Sequence, residues 1–108
     1  MVDNKIYGLL GISAKAGKVI SGTDIVLENI SKGKIALVIV AEDASEKTKK
    51  NIKYFCEKEN VDMIVFGDIF KNSKAIGKQN RAIIAVKDEN LAEAIKKQIH
   101  GGEWFGKN

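Results

Sequence analysis

The sequence predicts one α/β domain, a three-layer α/β/α sandwich around a four-stranded mixed sheet. Two continuous apolar runs, IALVIVA (residues 35–41) and AIIAV (residues 82–86), are too short for ordinary helices and rich in β-branched residues. That is the pattern of strands covered on both faces. Segments with helical spacing alternate with such runs along the whole chain. The 108 residues contain no proline, no linker and no repeat, and they suffice for one core but not two.

Residues 3–16 carry Ile6, Leu9 and Leu10 at helical spacing, with Asp3 as a candidate N-cap and Gly17 as the stop. The segment KVIS (residues 18–21) contains a short strand. Ser21-Gly22-Thr23-Asp24 matches the capping box that opens a helix. This helix partly buries Ile25, Val26, Leu27 and Ile30 and ends at Gly33. The strand of residues 35–41 follows. Asp43-Ala44-Ser45-Glu46 is a second capping box, and its helix reaches about Glu59 with Thr48, Ile52, Phe55 and Cys56 inward. Residues 63–66 form a third strand and residues 68–76 a short helix stopped by Gly77. Residues 82–86 are the fourth strand. Residues 90–99 close the domain as a helix with Leu91, Ala94, Ile95 and Ile99 on one side, opened by an Asn90/Glu93 box. Residues 1–100 therefore constitute the domain. The glycine-rich end, residues 101–108, is expected to be a flexible tail in which Trp104 and Phe105 form an apolar hook for the domain or a partner.

Lys and Arg outnumber Asp and Glu by 18 to 14, for a net charge of +4 and a pI near 9.2. Such a balance suits a nucleic-acid or ribosomal partner. The excess is local: residues 68–81 hold four cations (Lys71, Lys74, Lys78, Arg81) against Asp68, whereas residues 42–59 hold five acids and five lysines. No charged leader precedes a long apolar run, and no run approaches membrane-spanning length, so a cytoplasmic location with no membrane partner is expected. Cys56 is the only cysteine, which excludes a disulfide framework and a cysteine zinc site within one chain. It shares a helical face with Ile52 and Phe55 and reads as a small core residue.

Gly11-Ile12-Ser13-Ala14-Lys15-Ala16-Gly17-Lys18 superficially resembles a phosphate loop. Five residues separate its glycines instead of four, Val19 stands where the metal-binding hydroxyl belongs, and the segment follows a helix. Nucleotide hydrolysis is excluded on that ground, and Lys15 and Lys18 remain as exposed cations available to phosphates. No nucleophile–base pair or metal cluster is evident, so the chain reads as a non-enzyme with no cofactor. Ser21, Gly22, Thr23 and Asp24 either simply cap their helix or present backbone N–H groups to phosphate oxygens, with Gly22 admitting close approach and Asp24 accepting from a guanine edge. Gly77-Lys78-Gln79-Asn80-Arg81 is either a solvated turn or a set of donors able to hold an unpaired base.

Together these segments resemble the ribosomal protein L7Ae/L30e superfamily, particularly its small YlxQ-type bacterial members. The resemblance covers most of residues 3–99 and is strongest in SGTDIV (21–26), LVIVAEDAS (37–45) and AIGKQNRAIIAV (75–86). It implies a three-layer α/β/α fold that binds kink-turn RNA, whose opened major groove is readable where an ordinary A-form groove is not. It further implies that Gly22, Thr23 and Asp24 face that groove. The loop of Ile76, Gly77, Lys78, Gln79, Asn80 and Arg81 then cradles flipped-out nucleotides, with the Glu42-Asp43 turn close by. Three positions depart from better-known members: Asp24 replaces an asparagine, Ile25 a glutamate and Glu28 a lysine. Asn72-Ser73 also stands where many relatives carry Leu-Gly. The function expected is therefore structured-RNA binding, ribosomal RNA and the ribosome included. The alternative is a protein-interaction module on the same fold whose RNA surface has decayed. In either variant Gly22→Asp or Lys78→Glu, RNA binding is expected to fail while thermal stability stays nearly intact.

Overall fold

The computed structural model describes residues 2–99 and 103–105, with side chains described from Asn4 to Ile99. In chain order the elements are α1 (Val2–Lys15), β1 (Val19–Ser21), α2 (Thr23–Ser31), β2 (Leu37–Val40), α3 (Glu46–Lys58), β3 (Asp62–Val65), α4 (Ile69–Ala75), β4 (Ile83–Val86), α5 (Glu89–Lys97) and β5 (Glu103–Phe105). The apolar runs form the central strands, and every residue of β2 and β4 is buried. The sheet order is β1-β4-β2-β3-β5. β2 and β3 are parallel, while β1 and β2 both run antiparallel to β4.

The period-2 alternation of each strand divides the core in two. Val38 and Val40 of β2, Met63 of β3, and Ile83 and Ala85 of β4 face Val26 and Ile30 of α2 and Ile52 and Cys56 of α3. Leu37, Ile39, Ile64, Ile84 and Val86 face Ile6 and Leu10 of α1, Ile76 after α4, and Ala92 and Ile95 of α5. The expected α/β/α sandwich and its four-stranded mixed sheet are thus present, with β5 added antiparallel along the β3 edge. Most of the expected flexible tail lies outside the described residues, as does His100. The backbone of Glu103–Phe105 pairs with β3, Trp104 opposite Ile64.

Several helix starts differ from the capping boxes read in the sequence. α1 begins at Val2, so Asp3 lies inside its first turn rather than before it. The N-cap of α3 is Ser45, whose hydroxyl accepts from the Thr48 N–H, not Asp43. The N-cap of α5 is Asp88, which accepts from the Leu91 N–H, so Asn90 sits within the helix. Closely spaced Ser, Asp and Asn residues offer alternative caps, and the local pattern does not choose among them. Ile25, expected to be partly inward, is 45% exposed.

Cys56 is buried against α3's neighbours, as its sequence position suggested. Burial, with smaller contributions from Glu57 and Asp62, pushes its thiol up to about 12. The thiolate is the reactive form. A thiol reagent at mildly alkaline pH is therefore expected to leave the native protein unlabelled and to label it fully in denaturant. Rapid native labelling would contradict this burial.

Candidate nucleic-acid interface

Strand direction decides which loops meet. Ser21 of β1 lies opposite Ile84, Val40 of β2 opposite Ile83, and Val65 of β3 opposite Val40. The carboxyl ends of β1, β2 and β3 and the start of β4 therefore share one end of the sheet. That is where open α/β sheets carry their ligand sites. Three loops converge there: Ser21 to Asp24, Glu42 to Asp43, and Ile76 to Arg81.

Arg81 joins the first of these loops to the last. Its Nη1 donates to Ser21 Oγ at 3.1 Å and to the Ser21 carbonyl at 3.4 Å, while its Nε donates to the Gln79 carbonyl at 3.2 Å. Ser21 is consequently not the N-cap that the capping box suggested. It is a strand residue whose hydroxyl receives a guanidinium from a position 60 residues away. The N-cap of α2 is Gly22, which has no side chain to close the helix end. The first-turn N–H groups of α2 lie at that end without a side-chain cap. Gly22 has φ 107° and ψ 142°, a conformation L-residues rarely adopt. The expectation that Gly22→Asp leaves stability intact is corrected accordingly, because any side chain there strains the backbone.

The 76–81 loop is held by Asn72 and Ser73, the pair that stands where many relatives carry Leu-Gly. Ser73 is 2% exposed; its hydroxyl accepts from the Arg81 N–H at 2.8 Å and donates to the Arg81 carbonyl at 3.3 Å. Asn72 is 1% exposed, and its Nδ2 donates to the Phe66 carbonyl at 2.8 Å. The departure from Leu-Gly thus supplies two buried polar anchors that fix the loop to α4 and α4 to β3. Within the loop Ile76 is buried in the core, and Gly77, Lys78, Gln79 and Asn80 are exposed. Asn80 has φ 57°, a conformation asparagine tolerates better than most residues.

The acidic turn is structural at one of its two positions. Asp43 Oδ1 accepts from the Ile69 N–H at 2.9 Å, and Asp68 Oδ1 accepts from the Lys71 N–H at 2.7 Å. Two carboxylates therefore occupy the start of α4, and Asp43 ties the β2–α3 turn to it. The Glu42 N–H donates to the Gly67 carbonyl at 2.8 Å, leaving the exposed Glu42 side chain at the rim. Glu28, one of the departures, pairs with Lys32 at 3.3 Å on an exposed face.

Lys15 and Lys18 are not part of this cluster. Both are exposed, but Lys18 lies before β1, where its carbonyl accepts from the Lys87 N–H at 2.8 Å. At about 3.3 Å per strand residue it is roughly 10 Å from Ser21, toward the opposite end of the sheet. Among the described residues no group of three or more His, Cys, Asp or Glu is arranged to hold a metal. No helix among them is long and apolar enough to cross a membrane.

The fold agrees with the family comparison. Residues 4–96 match the ribosomal protein L7Ae/L30e/S12e/Gadd45 family, and the chain belongs to that family. It is 33% identical over 89 residues to the RNA-binding protein YlxQ of Bacillus subtilis, covering 82% of this chain and 89% of that protein. It is 32% identical over 100 residues to the RNA-binding protein YlxQ of Enterococcus faecium, covering 90% and 93% of the two chains. Among solved structures, a protein of unknown function from Bacillus halodurans aligns with a TM-score of 0.85 and 31% identity over 87% of this chain and 95% of that one. The Giardia lamblia 15.5kD RNA binding protein aligns with a TM-score of 0.77 over 90% and 83% of the two chains, and at 18% identity it speaks for the fold alone.

Proposed function

We propose that this chain is a non-enzymatic RNA-binding protein that recognises kink-turn-like structured RNA, in the cytoplasm and in association with the ribosome. Residues 1–100 are its RNA-binding domain. The observation that carries this reading is the Arg81 bridge, which sets the open start of α2 beside the 77–80 turn at one end of the sheet. A helix start without a side-chain cap offers N–H groups to phosphate oxygens. Gly22 lets a backbone come close, Thr23 and Asp24 present a hydroxyl and a carboxylate to base edges, and Lys78, Gln79 and Asn80 supply donors to unpaired nucleotides. Lys15 and Lys18, lying away from this end, contact phosphates further along the RNA. Relatives that carry the name RNA-binding protein support the same class. Specificity comes from RNA shape and a few guanine edges, not from a linear sequence.

The test is a titration of a kink-turn RNA and a control with its G·A pairs disrupted, across a salt series. Tight binding to the first alone is the expected result. Equal and steeply salt-dependent binding to both reduces the reading to a general basic surface. Binding to neither at low salt favours the second reading, a protein-interaction module. The exposed Ile25 and the anionic Asp24 and Glu28 on α2 are the features that favour it.

A further inference from the structure

A shallow cavity of about 460 Å³ lies on the outer face of α4, beside the proposed RNA-binding loop. Phe70 lines one side, and Lys74, Lys78, Gln79 and Asn80 line the others, over a floor that includes Ser73. Phe70 is 73% exposed, the most exposed of the large hydrophobic side chains among the described residues. Phe70, Lys74 and Gly77 are spaced i, i+4 and i+7, so one face of α4 and the residue after its C-cap form the groove. Two lysines line it and no acidic residue does.

An exposed aromatic ring in water gains nothing for the fold. A ring flanked by cations and amides matches the requirements of an unpaired nucleotide. The base stacks on the ring, the ammonium groups meet the adjoining phosphate, and the amides reach the base edge. Charge selects this occupant over an apolar or basic peptide segment. We infer that this groove is a second nucleotide subsite, which takes an unpaired base lying outside the kinked motif and stacks it on Phe70. The inference rests on the RNA-binding reading above, and it extends the footprint from the 77–80 turn onto the outer face of α4. The buried Ser73 in the floor ties this face of α4 to Arg81 through its hydroxyl.

The experiment titrates a kink-turn RNA with and without a short oligoadenosine overhang placed at each strand end in turn. The proteins are wild type, Phe70→Ala and Phe70→Trp, with melting curves recorded for all three. The expected result is a gain of about tenfold in affinity from at least one overhang, the order that base–aromatic stacking supplies. That gain disappears in Phe70→Ala, returns in Phe70→Trp, and leaves affinity for the RNA without an overhang unchanged. If wild type binds the kink-turn RNA but no overhang adds affinity, the subsite is wrong and the function stands. An overhang gain that survives in Phe70→Ala also overturns it. If wild type binds none of these RNAs, both readings fall together.

Discussion

Gly67→Ala is expected to lower stability by about 3 kcal/mol, which for a domain of this size is a fall of roughly 15 °C in melting temperature. Gly67 has φ 66°, and a Cβ built there overlaps Asn72 Oδ1 and comes within 2.8 Å of the Tyr7 hydroxyl. Two costs therefore coincide. The left-handed conformation disfavours any Cβ. Relief of the overlap would have to move Asn72, whose amide holds the Phe66 carbonyl, or Tyr7, whose ring packs 5.3 Å from that of Phe66. Neither is a free-swinging surface group, since Asn72 is almost wholly buried. The site suffers as well, because the Gly67 carbonyl accepts the Glu42 N–H and the next residue caps α4. Equilibrium denaturation of Gly67→Ala measures the effect. A loss below about 1 kcal/mol would mean that this corner relaxes more freely than its packing implies.

The contrast between the legible and illegible parts of this chain follows from the range of the interactions. The runs at residues 35–41 and 82–86 declared themselves as central strands, because burial on both faces removes polar residues from consecutive positions. Helix faces such as Ile52/Cys56 and Ile6/Leu10 were equally plain, since period is a local property. Caps were harder. At residues 43–46 the pattern offered two acceptors, and a tertiary contact, Asp43 with the Ile69 N–H, decided the matter in favour of Ser45. β5 carries three residues beside glycines and pairs with a strand some forty positions earlier, so no local signal announced it. The site divides in the same way. Its loop residues were recognisable from SGTDIV and AIGKQNR, but the bond from Arg81 to Ser21 joins positions 60 apart. In the sequence Ser73 and Asn72 stand out only as a departure from the Leu-Gly of many relatives, and the folded chain shows what they hold. Gly67, between a strand and a capping aspartate, had the right neighbours to be suspected. Lys18 is close to Ser21 in sequence, but β1 sets it toward the opposite end of the sheet, and Lys15 belongs to the last turn of α1.

Lys78→Glu is expected to weaken binding of kink-turn RNA by about 100-fold and to leave the melting temperature unchanged. Lys78 is exposed, and its backbone N–H donates to the Ser73 carbonyl at the end of α4 at 2.9 Å, a bond that substitution retains. The loss is therefore one of interaction alone. A charge-assisted hydrogen bond to phosphate is worth about 2 kcal/mol, and placing an anion there adds repulsion. The slope of log affinity against log salt should fall by about one unit, and more if the new carboxylate repels a second phosphate. Gly22 makes the instructive comparison. Gly22→Ala and Gly22→Asp share the same backbone strain at φ 107°, so both are expected to melt lower than wild type by a similar amount. Only Gly22→Asp also brings a carboxylate to the open start of α2, where an anionic backbone is proposed to lie. Its additional loss of affinity over Gly22→Ala therefore reports what a carboxylate does at this end, by repelling the RNA backbone and by its reach to the Arg81 guanidinium, whose Nη1 lies 4.0 Å from a Cβ at this position. If Lys78→Glu retains wild-type affinity and the two Gly22 variants bind equally well, the RNA does not lie across this end of the sheet. The interface would then have to be sought around Lys15, Lys18 and Lys87, at the far end of β1 and β4.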